Sequence, residues 1–196
     1  MDSGRLDFIR VEMSESLDAM IAAAGSEALA RQIAAIASSI TSSLRNGGKV
    51  LFAGNGGSAG DAQHIAGEFV SRLNYDRAPL AGLALTTDTS VLTAVGNDYG
   101  FEHVFARQVA GLGRTGDVFV GISTSGRSKN ILAALATARK SQLCTIGFTG
   151  LDSNQMADYC DLMLNVPSQR TPIIQQLHIT AAHIICGLVE STLFPR

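Results

Sequence analysis

A histidine and a glutamate lie four residues apart in the segment GNGGSAGDAQHIAGE, which runs from Gly54 to Glu68. If this segment is helical, His64 and Glu68 share one face and lie one turn apart. An imidazole and a carboxylate placed in this way can bind a divalent metal or act as an acid and a base. They can also form a hydrogen bond on a helix surface, and the spacing alone favours this plainer interpretation.

A second set of polar residues follows one stripe of the apolar segment QQLHITAAH near the end of the sequence. Gln175, Ile179 and His183 are spaced four residues apart, which puts the first and last about 12 Å apart along a helix axis. One metal contacts both only from a position between them. His178, on a neighbouring face, competes with His183 for any role. A histidine in an apolar helix is more often a core residue than a ligand, so spacing alone does not assign catalysis to either.

Two loops rich in glycine and hydroxyl groups each follow a short apolar run. Residues 54–58 follow KVLFA, and residues 123–128, STSGRS, follow DVFVGI. Glycine lets the backbone approach a ligand, and the start of a helix offers unpaired N–H groups and the positive end of its dipole. This combination favours sugar-phosphate binding over helix capping alone. A nucleotide P-loop and a dinucleotide fingerprint are not supported, because the P-loop lysine is missing and GNGGSAG lacks the GxGxxG spacing.

The elements that must position these residues follow from the hydrophobic pattern. Nearly continuous apolar runs predict five short strands, at 49–53, 81–85, 117–122, 144–148 and 162–166. Helical patterns separate them, at 58–73, 128–140 and 173–192, with a broken helix over 89–112. This alternation predicts an α/β fold, a three-layer αβα sandwich around a five-stranded parallel sheet. Ligands in such folds bind at the carboxyl ends of strands near the reversal of strand order, and both loops follow strands.

The first part of the sequence is alanine-rich, with apolar residues at helical spacing. It predicts two long helices, over 5–24 and 27–45, joined near Gly25 with Ser26 as the N-cap of the second. This pair exceeds what the sheet needs for cover, so we expect it to mediate self-association. The predicted organisation is one domain, with an N-terminal helix pair over 1–46 and an α/β core over 47–196.

Composition excludes several classes of protein. The 196 residues carry a net charge of −2 without a basic run, which argues against nucleic-acid binding. We see no signal peptide and no apolar run approaching the roughly 20 residues of a membrane span. Three cysteines without CxxC spacing predict reduced core residues and a cytoplasmic location. Arg77, Arg114 and Arg127 are expected on the surface, with Arg127 inside the second loop.

Four motifs in one order, GNGGSAGDAQHIAGE, TAVGNDYG, GISTSGRS and QQLHITAAH, together resemble the phosphoheptose isomerase family of the SIS fold. The resemblance runs over essentially the whole chain. It implies the flavodoxin-like SIS fold and a cytoplasmic homotetramer. It also implies conversion of D-sedoheptulose 7-phosphate to D-glycero-D-manno-heptose 7-phosphate through an enediol(ate). That is the first step towards the ADP- or GDP-heptose precursors of lipopolysaccharide or other surface glycans.

The resemblance also assigns site residues, position by position. It implies that residues of all four motifs bind the sugar phosphate, namely Asn55, Gly56, Gly57, Glu68, Asn97, Asp98, Ser123, Thr124, Ser125, Ser128 and Gln175. It implies one zinc ion per subunit, held by His64, Glu68, Gln175 and His183.

For catalysis, the resemblance leads us to expect Glu68 as the base at carbon and His183 as the opposing acid–base. Asp61, one turn before His64, is a further candidate for orienting a ligand or for ring opening. The sequence departs from the family pattern beside Gln175, where Ile173 and Gln176 replace a basic residue and a glutamate. This departure bears on the substrate pocket rather than on the metal ligands.

One alternative is not an enzyme. The tail ESTLFPR and the run LTTDTSVLTA resemble the DnaA initiator-associating protein, an SIS-fold binding module that regulates replication. That regulator lacks an acidic residue at the position of Glu68 and a histidine at the position of His183. Both are present here, and they favour the isomerase.

Overall fold

The computed structural model describes residues 3–196, and helices and strands alternate along most of this range. Within it lie five strands, β1 Val50–Gly54, β2 Gly82–Ala84, β3 Val118–Ile122, β4 Cys144–Thr149 and β5 Leu162–Asn165. The α-helices of the same range are α1 Ser3–Ala24, α2 Glu27–Arg45, α3 Gly57–Val70, α4 Thr89–Tyr99, α5 Val104–Leu112, α6 Lys129–Lys140 and α7 Thr171–Leu193. Two 3₁₀ segments lie at Phe101–His103 and Asn154–Tyr159.

The strands form one parallel sheet in the order β2-β1-β3-β4-β5. This confirms the predicted five-stranded α/β fold with its added N-terminal helices. The chain moves from β1 outward to β2 and then returns to pair β3 on the other side of β1. Strand order therefore reverses between β1 and β3, the place where such folds bind ligands. The two polar loops follow these two neighbouring strands.

Both faces of the sheet are covered, and its central strands β1, β3 and β4 are buried at nearly every position. Phe52, Val120 and Ile146 belong to the core cluster shared with α2, α3 and α7. Leu51 and Phe119 belong to the second cluster, shared with α5 and α6. The sheet is thus the middle of three layers, and α3 and α7 lie together on one side of it.

The predicted broken helix over 89–112 is two helices. The break falls at Gly100, whose φ of +93° ends α4 and leads through a 3₁₀ turn into α5. Strand β2 is shorter than predicted, with three residues at the edge of the sheet. Helix α3 also ends earlier than predicted, at Val70.

The N-terminal helices differ in how they pack. Ser26 caps α2, its Oγ accepting a hydrogen bond from the Leu29 amide at 3.2 Å, and α2 buries its apolar stripe in the core. Helix α1 instead leaves large apolar side chains exposed, among them Phe8 at 65%. Arg170, next to the start of α7, pairs with Glu12 at 2.8 Å and also with Glu15, which ties α1 to the body of the fold.

Among the described residues, α7 is the one helix whose length and apolar composition would allow it to cross a membrane. From the sequence we expected no such segment, because no apolar run approaches the roughly 20 residues of a membrane span. Half of its most apolar stretch is buried in this fold, and it carries the fully buried His178 and the buried Glu190. These are features of a core helix in an α/β sandwich.

Candidate functional site

The turn from β1 into α3 takes almost no residues. Gly56 has φ +56° and ψ −122°, a conformation that favours glycine. A Cβ at Gly54 would lie 2.3 Å from the Ser58 carbonyl oxygen, so the strand and the helix meet too closely for any side chain there. The sequence therefore begins α3 directly above the end of β1.

Helix α7 runs beside α3 in the same direction. At the first turn of α3, a Cβ on Gly57 would lie 2.5 Å from Gln175 Nε2, so the glutamine amide rests against the glycine. Further along, His64 of α3 meets His183 of α7, with their Nε2 atoms 2.8 Å apart. This pairing also resolves the competition on α7, because His183 and not His178 faces His64.

His64, Glu68 and His183 form one cluster of potential ligands. Glu68 Oε1 lies 3.3 Å from His64 Nε2, and one ligand atom from each of the three lies within 4.8 Å of the others. The His64 side chain is 49% exposed, so the cluster is open to solvent. Two imidazole nitrogens this close must share a proton or a cation, and two nitrogens with a carboxylate oxygen are a donor set that zinc accepts.

Asp61 lies one turn before His64 and is half-buried. Its Oδ2 atom is buried without a hydrogen-bond partner among the described residues. Burial raises the pKa of the Asp61 carboxyl, while the nearby His64 acts in the opposite direction. This carboxyl therefore holds a proton more readily than an exposed aspartate does.

The second loop joins β3 to α6 and presents hydroxyl groups. Ser123 is buried, and its Oγ lies 2.9 Å from Ser128 Oγ. Gly126 has φ +63°, and a Cβ there would lie 2.6 Å from the Ser153 carbonyl oxygen. The loop is thus packed against the segment after β4, and it leads into the N-terminus of α6, a favourable place for a phosphate.

Two amides link the loops. Asn55 Nδ2 donates to Asn130 Oδ1 at 2.9 Å, and Asn130 Nδ2 donates to Asn55 Oδ1 at 2.8 Å. Asn55 was predicted from the sequence to bind substrate, whereas Asn130, which is buried in the first turn of α6, was not predicted as a site residue. Its position two residues after the serine-rich loop was the one feature of the sequence that could have indicated a role for Asn130 in the site.

A cavity of about 270 Å³ opens beside the second loop. Its lining includes Thr124, Ser125 and Arg127 of that loop, together with Asn154 and Gln169. Arg127 is exposed as expected and donates from Nη2 to Asn154 Oδ1 at 3.0 Å. The guanidinium and the hydroxyl groups of this lining suit a phosphate, whereas Asp152, which also lines the cavity, does not.

Other predicted site residues lie elsewhere. Asn97 and Asp98 are exposed near the end of α4, where Asn97 Nδ2 donates to Asp98 Oδ1 at 2.8 Å. Within residues 3–196, no hydrogen bond or ion pair joins this pair to the His64 cluster or to the second loop. Beside Gln175, Ile173 is buried in the core and Gln176 is exposed.

His178 is a core residue. Its Nε2 donates to the Thr149 carbonyl oxygen at 3.1 Å, at the end of β4, and its Nδ1 has no hydrogen-bond partner among the described residues. Burial lowers the pKa of His178 to about 4, although the bond to Thr149 opposes the shift. The ring is therefore neutral at physiological pH.

Comparison with known proteins places this arrangement in a family. Residues 15–150 match the SIS domain family. Over 196 residues and all of both chains, the sequence is 51% identical to the phosphoheptose isomerase of Burkholderia pseudomallei strain 1710b. The chain belongs to the phosphoheptose isomerase family.

Solved structures of phosphoheptose isomerases are similar throughout. The structure of GmhA from Neisseria gonorrhoeae matches with a TM-score of 0.89 and 43% identity, covering 95% of this chain and 98% of that one. The structure from Francisella tularensis matches with a TM-score of 0.91 and 39% identity, covering 97% and 100%. The comparisons do not support the non-enzymatic alternative.

Proposed function

We propose that this member of the phosphoheptose isomerase family converts D-sedoheptulose 7-phosphate to D-glycero-D-manno-heptose 7-phosphate. The observation that carries the proposal is the cluster of His64, Glu68 and His183, in a chain similar to phosphoheptose isomerases over its whole length. The cluster offers acid–base groups, and the second loop offers a phosphate site. The loop follows β3 and the helix that carries His64 and Glu68 follows β1, the two strands between which the strand order reverses.

We further propose that the cluster holds one zinc ion per subunit, through His64, Glu68 and His183, with Gln175 as a fourth ligand from the same helix face. The 2.8 Å separation of the two imidazole nitrogens and the nearby carboxylate oxygen support this assignment. When bound, zinc supplies a Lewis acid that polarises the substrate carbonyl and stabilises negative charge on its oxygen.

Isomerisation moves one proton between carbons and one between oxygens. In our proposal Glu68 removes the proton from C1 and returns it to C2, while His183 takes the O1 proton and delivers one to O2. Glu68 has two carboxylate oxygens, so a ligand role for one leaves the other available as base. Asp61, whose pKa is raised by burial and only partly restored by His64, is proposed to donate a proton during ring opening.

The phosphate is proposed to bind the second loop, at Ser123, Thr124, Ser125 and Ser128, next to the N-terminus of α6. Asn55, Gly56 and Gly57 of the first loop are proposed to contact the sugar between the phosphate and the cluster. We keep Asn97 and Asp98 as proposed substrate contacts, since both are exposed.

The proposed assembly is a homotetramer in the cytoplasm. Its reaction is proposed to supply the heptose precursors of lipopolysaccharide or another surface glycan. The exposed apolar residues of α1 support self-association, since surfaces of this kind mark contacts between proteins. A monomeric mass in light scattering at micromolar concentration would refute it.

The first test is turnover of sedoheptulose 7-phosphate before and after chelation, with zinc added back. Loss on chelation and recovery with zinc are expected, whereas no turnover by the zinc-loaded protein would refute the function. The substitution Glu68→Gln should lower kcat by roughly 10²–10⁴-fold, because the carbon base is lost. Glu102→Gln, at an exposed position, is the matched control and should keep normal turnover.

A further inference from the structure

Arg77 lies between α3 and β2 and is buried, although the sequence analysis expected it on the surface. Its side chain is 3% exposed. Nη2 donates to the carbonyl oxygen of Glu68 at 2.7 Å, and Nη1 donates to those of Phe69 at 2.7 Å and Ala78 at 3.0 Å. The guanidinium therefore holds the backbone of the residue that we propose as the carbon base.

The Glu68 carbonyl gains its partner from Arg77, whereas the Phe69 carbonyl also accepts a hydrogen bond from the Leu80 amide at 3.0 Å. Helix α3 ends at Val70, so Glu68 and Phe69 lie in its last turn, where carbonyl oxygens have no partner within the helix. A cation at this end also offsets the negative end of the helix dipole. The planar guanidinium of Arg77 reaches several carbonyls at once, which a lysine ammonium on its flexible stem does not do.

On its other side, Arg77 is joined to α7. Its Nε donates to Glu190 Oε1 at 3.3 Å, and the Glu190 side chain is 1% exposed. The same carboxylate accepts from the Leu73 amide at 3.1 Å, the Asn74 amide at 2.9 Å and Asn74 Nδ2 at 3.1 Å. Burial opposes ionisation of Glu190, but these hydrogen bonds outweigh it and lower the pKa of the carboxyl.

The ion pair adds a link between α7 and the segment that follows α3, beyond the contacts of the two parallel helices themselves. Gly57 meets Gln175 at the first turn of α3, and His64 meets His183 in the middle. The Arg77–Glu190 pair then connects the end of α3 to α7 two turns beyond His183. The distance between Glu68 and His183 is thus fixed from both sides of the cluster.

We propose that Arg77, together with Glu190, is a positioning residue that sets the placement of Glu68 relative to His183. This inference rests on the proposed function of the cluster. A brace that served only the stability of the fold would leave metal binding and turnover unchanged in any variant that still folds.

Four variants, with Arg77→Lys as the fourth, separate the two roles. Glu190→Gln breaks the ion pair and keeps only one of the two acceptor oxygens that the Leu73 and Asn74 amides use, but it leaves the carbonyl contacts of Arg77 in place. The double variant R77M/E190Q removes those contacts without leaving an unpaired buried charge, which is the costly outcome of removing one partner alone. Tyr75→Phe is the control. It removes a hydrogen bond of the same segment, from the Tyr75 hydroxyl to the Phe194 carbonyl at 2.9 Å, and this bond does not involve Glu68.

The experiment measures zinc affinity by competition with a chromophoric chelator, and kcat and KM for sedoheptulose 7-phosphate. In R77M/E190Q, we expect zinc affinity and kcat to fall roughly 10–100-fold, which is the typical effect of removing a residue that orients a metal ligand. KM should change little. Glu190→Gln, which breaks only the link to α7, should show a smaller loss in both zinc affinity and kcat, and Tyr75→Phe should stay close to the wild type. Arg77→Lys should fall in the direction of the double variant, and it decides the question if the double variant does not fold.

Wild-type zinc affinity and kcat in Arg77→Lys or in R77M/E190Q would overturn the proposal. Equal losses in Tyr75→Phe would overturn it too, since they would reflect general destabilisation. The two proposals can fail separately, because zinc affinity is measured without substrate. A wild-type protein without turnover would refute the proposed function, and the zinc measurement would still test the role of Arg77.

Discussion

Replacing His178 tests how the core of this fold responds to acid. The substitution His178→Gln keeps an amide nitrogen that can donate to the Thr149 carbonyl oxygen, but it removes the titrating ring. His103, which is exposed, provides the matched control as His103→Gln. Neither residue belongs to the proposed catalytic site.

The expected magnitude follows from the lowered pKa. The folded protein holds His178 neutral down to a pKa of about 4, whereas the ordinary value is 6.5, so the unfolded chain binds a proton first. Between these two values the unfolded state carries more protons, and the free energy of unfolding falls as the pH falls. The His178 contribution to this loss between pH 7.5 and pH 5 is about 2 kcal/mol.

Urea unfolding at both pH values measures this contribution. Other titrating groups are common to all three proteins, so their effects cancel in the difference from the wild type. We expect His178→Gln to lose about 2 kcal/mol less than the wild type between pH 7.5 and pH 5, and His103→Gln to follow the wild type. An equal pH dependence in wild type and His178→Gln would refute the reasoning, because the buried ring would then titrate as it does in the unfolded chain.

Two further predictions concern the loops. Asn130→Ala leaves the Asn55 amide without its partner, so we expect a loss of about 1–3 kcal/mol in stability and a higher KM for the sugar phosphate; an unchanged KM would contradict the role of the pair. Gly56→Ala should lower stability by about 1–3 kcal/mol because of its positive φ, whereas Gly60→Ala, in the first turn of α3 with open space around its Cβ, should be neutral or stabilising. Thermal unfolding of the two variants compares them directly, and equal effects would contradict the strain argument.

The order of strands and helices was predictable because a parallel sheet covered on both faces leaves a plain pattern. KVLFA and DVFVGI are apolar at nearly every position, and only a strand buried on two sides needs such a run. The glycines and serines that follow marked both loops at the ends of neighbouring strands. The exact ends were less predictable, since α3 stops at Val70 through contacts with Arg77 that lie outside the helix.

The candidate site was less accessible from sequence, because its contacts join distant residues. His64 and His183 are separated by 119 residues, and the spacing on α7 left His178 as an equal candidate. Only the packing of α7 on the sheet shows that His178 faces the end of β4 and His183 faces α3. The burial of Arg77 was missed for a similar reason, since its partner Glu190 is 113 residues away.

Helix α7 brings four polar side chains to four different neighbours. Gln175 rests against Gly57, His178 bonds to the end of β4, His183 meets His64, and Glu190 binds the segment after α3. One residue inserted between Gln175 and His183 would turn the two ends of α7 by about 100° relative to each other and separate them by about 1.5 Å more. All contacts on one side of the insertion would be lost together. We therefore expect α7 to tolerate substitutions of its exposed residues but no insertion or deletion within it. Insertions and tags belong in exposed surface segments elsewhere in the chain.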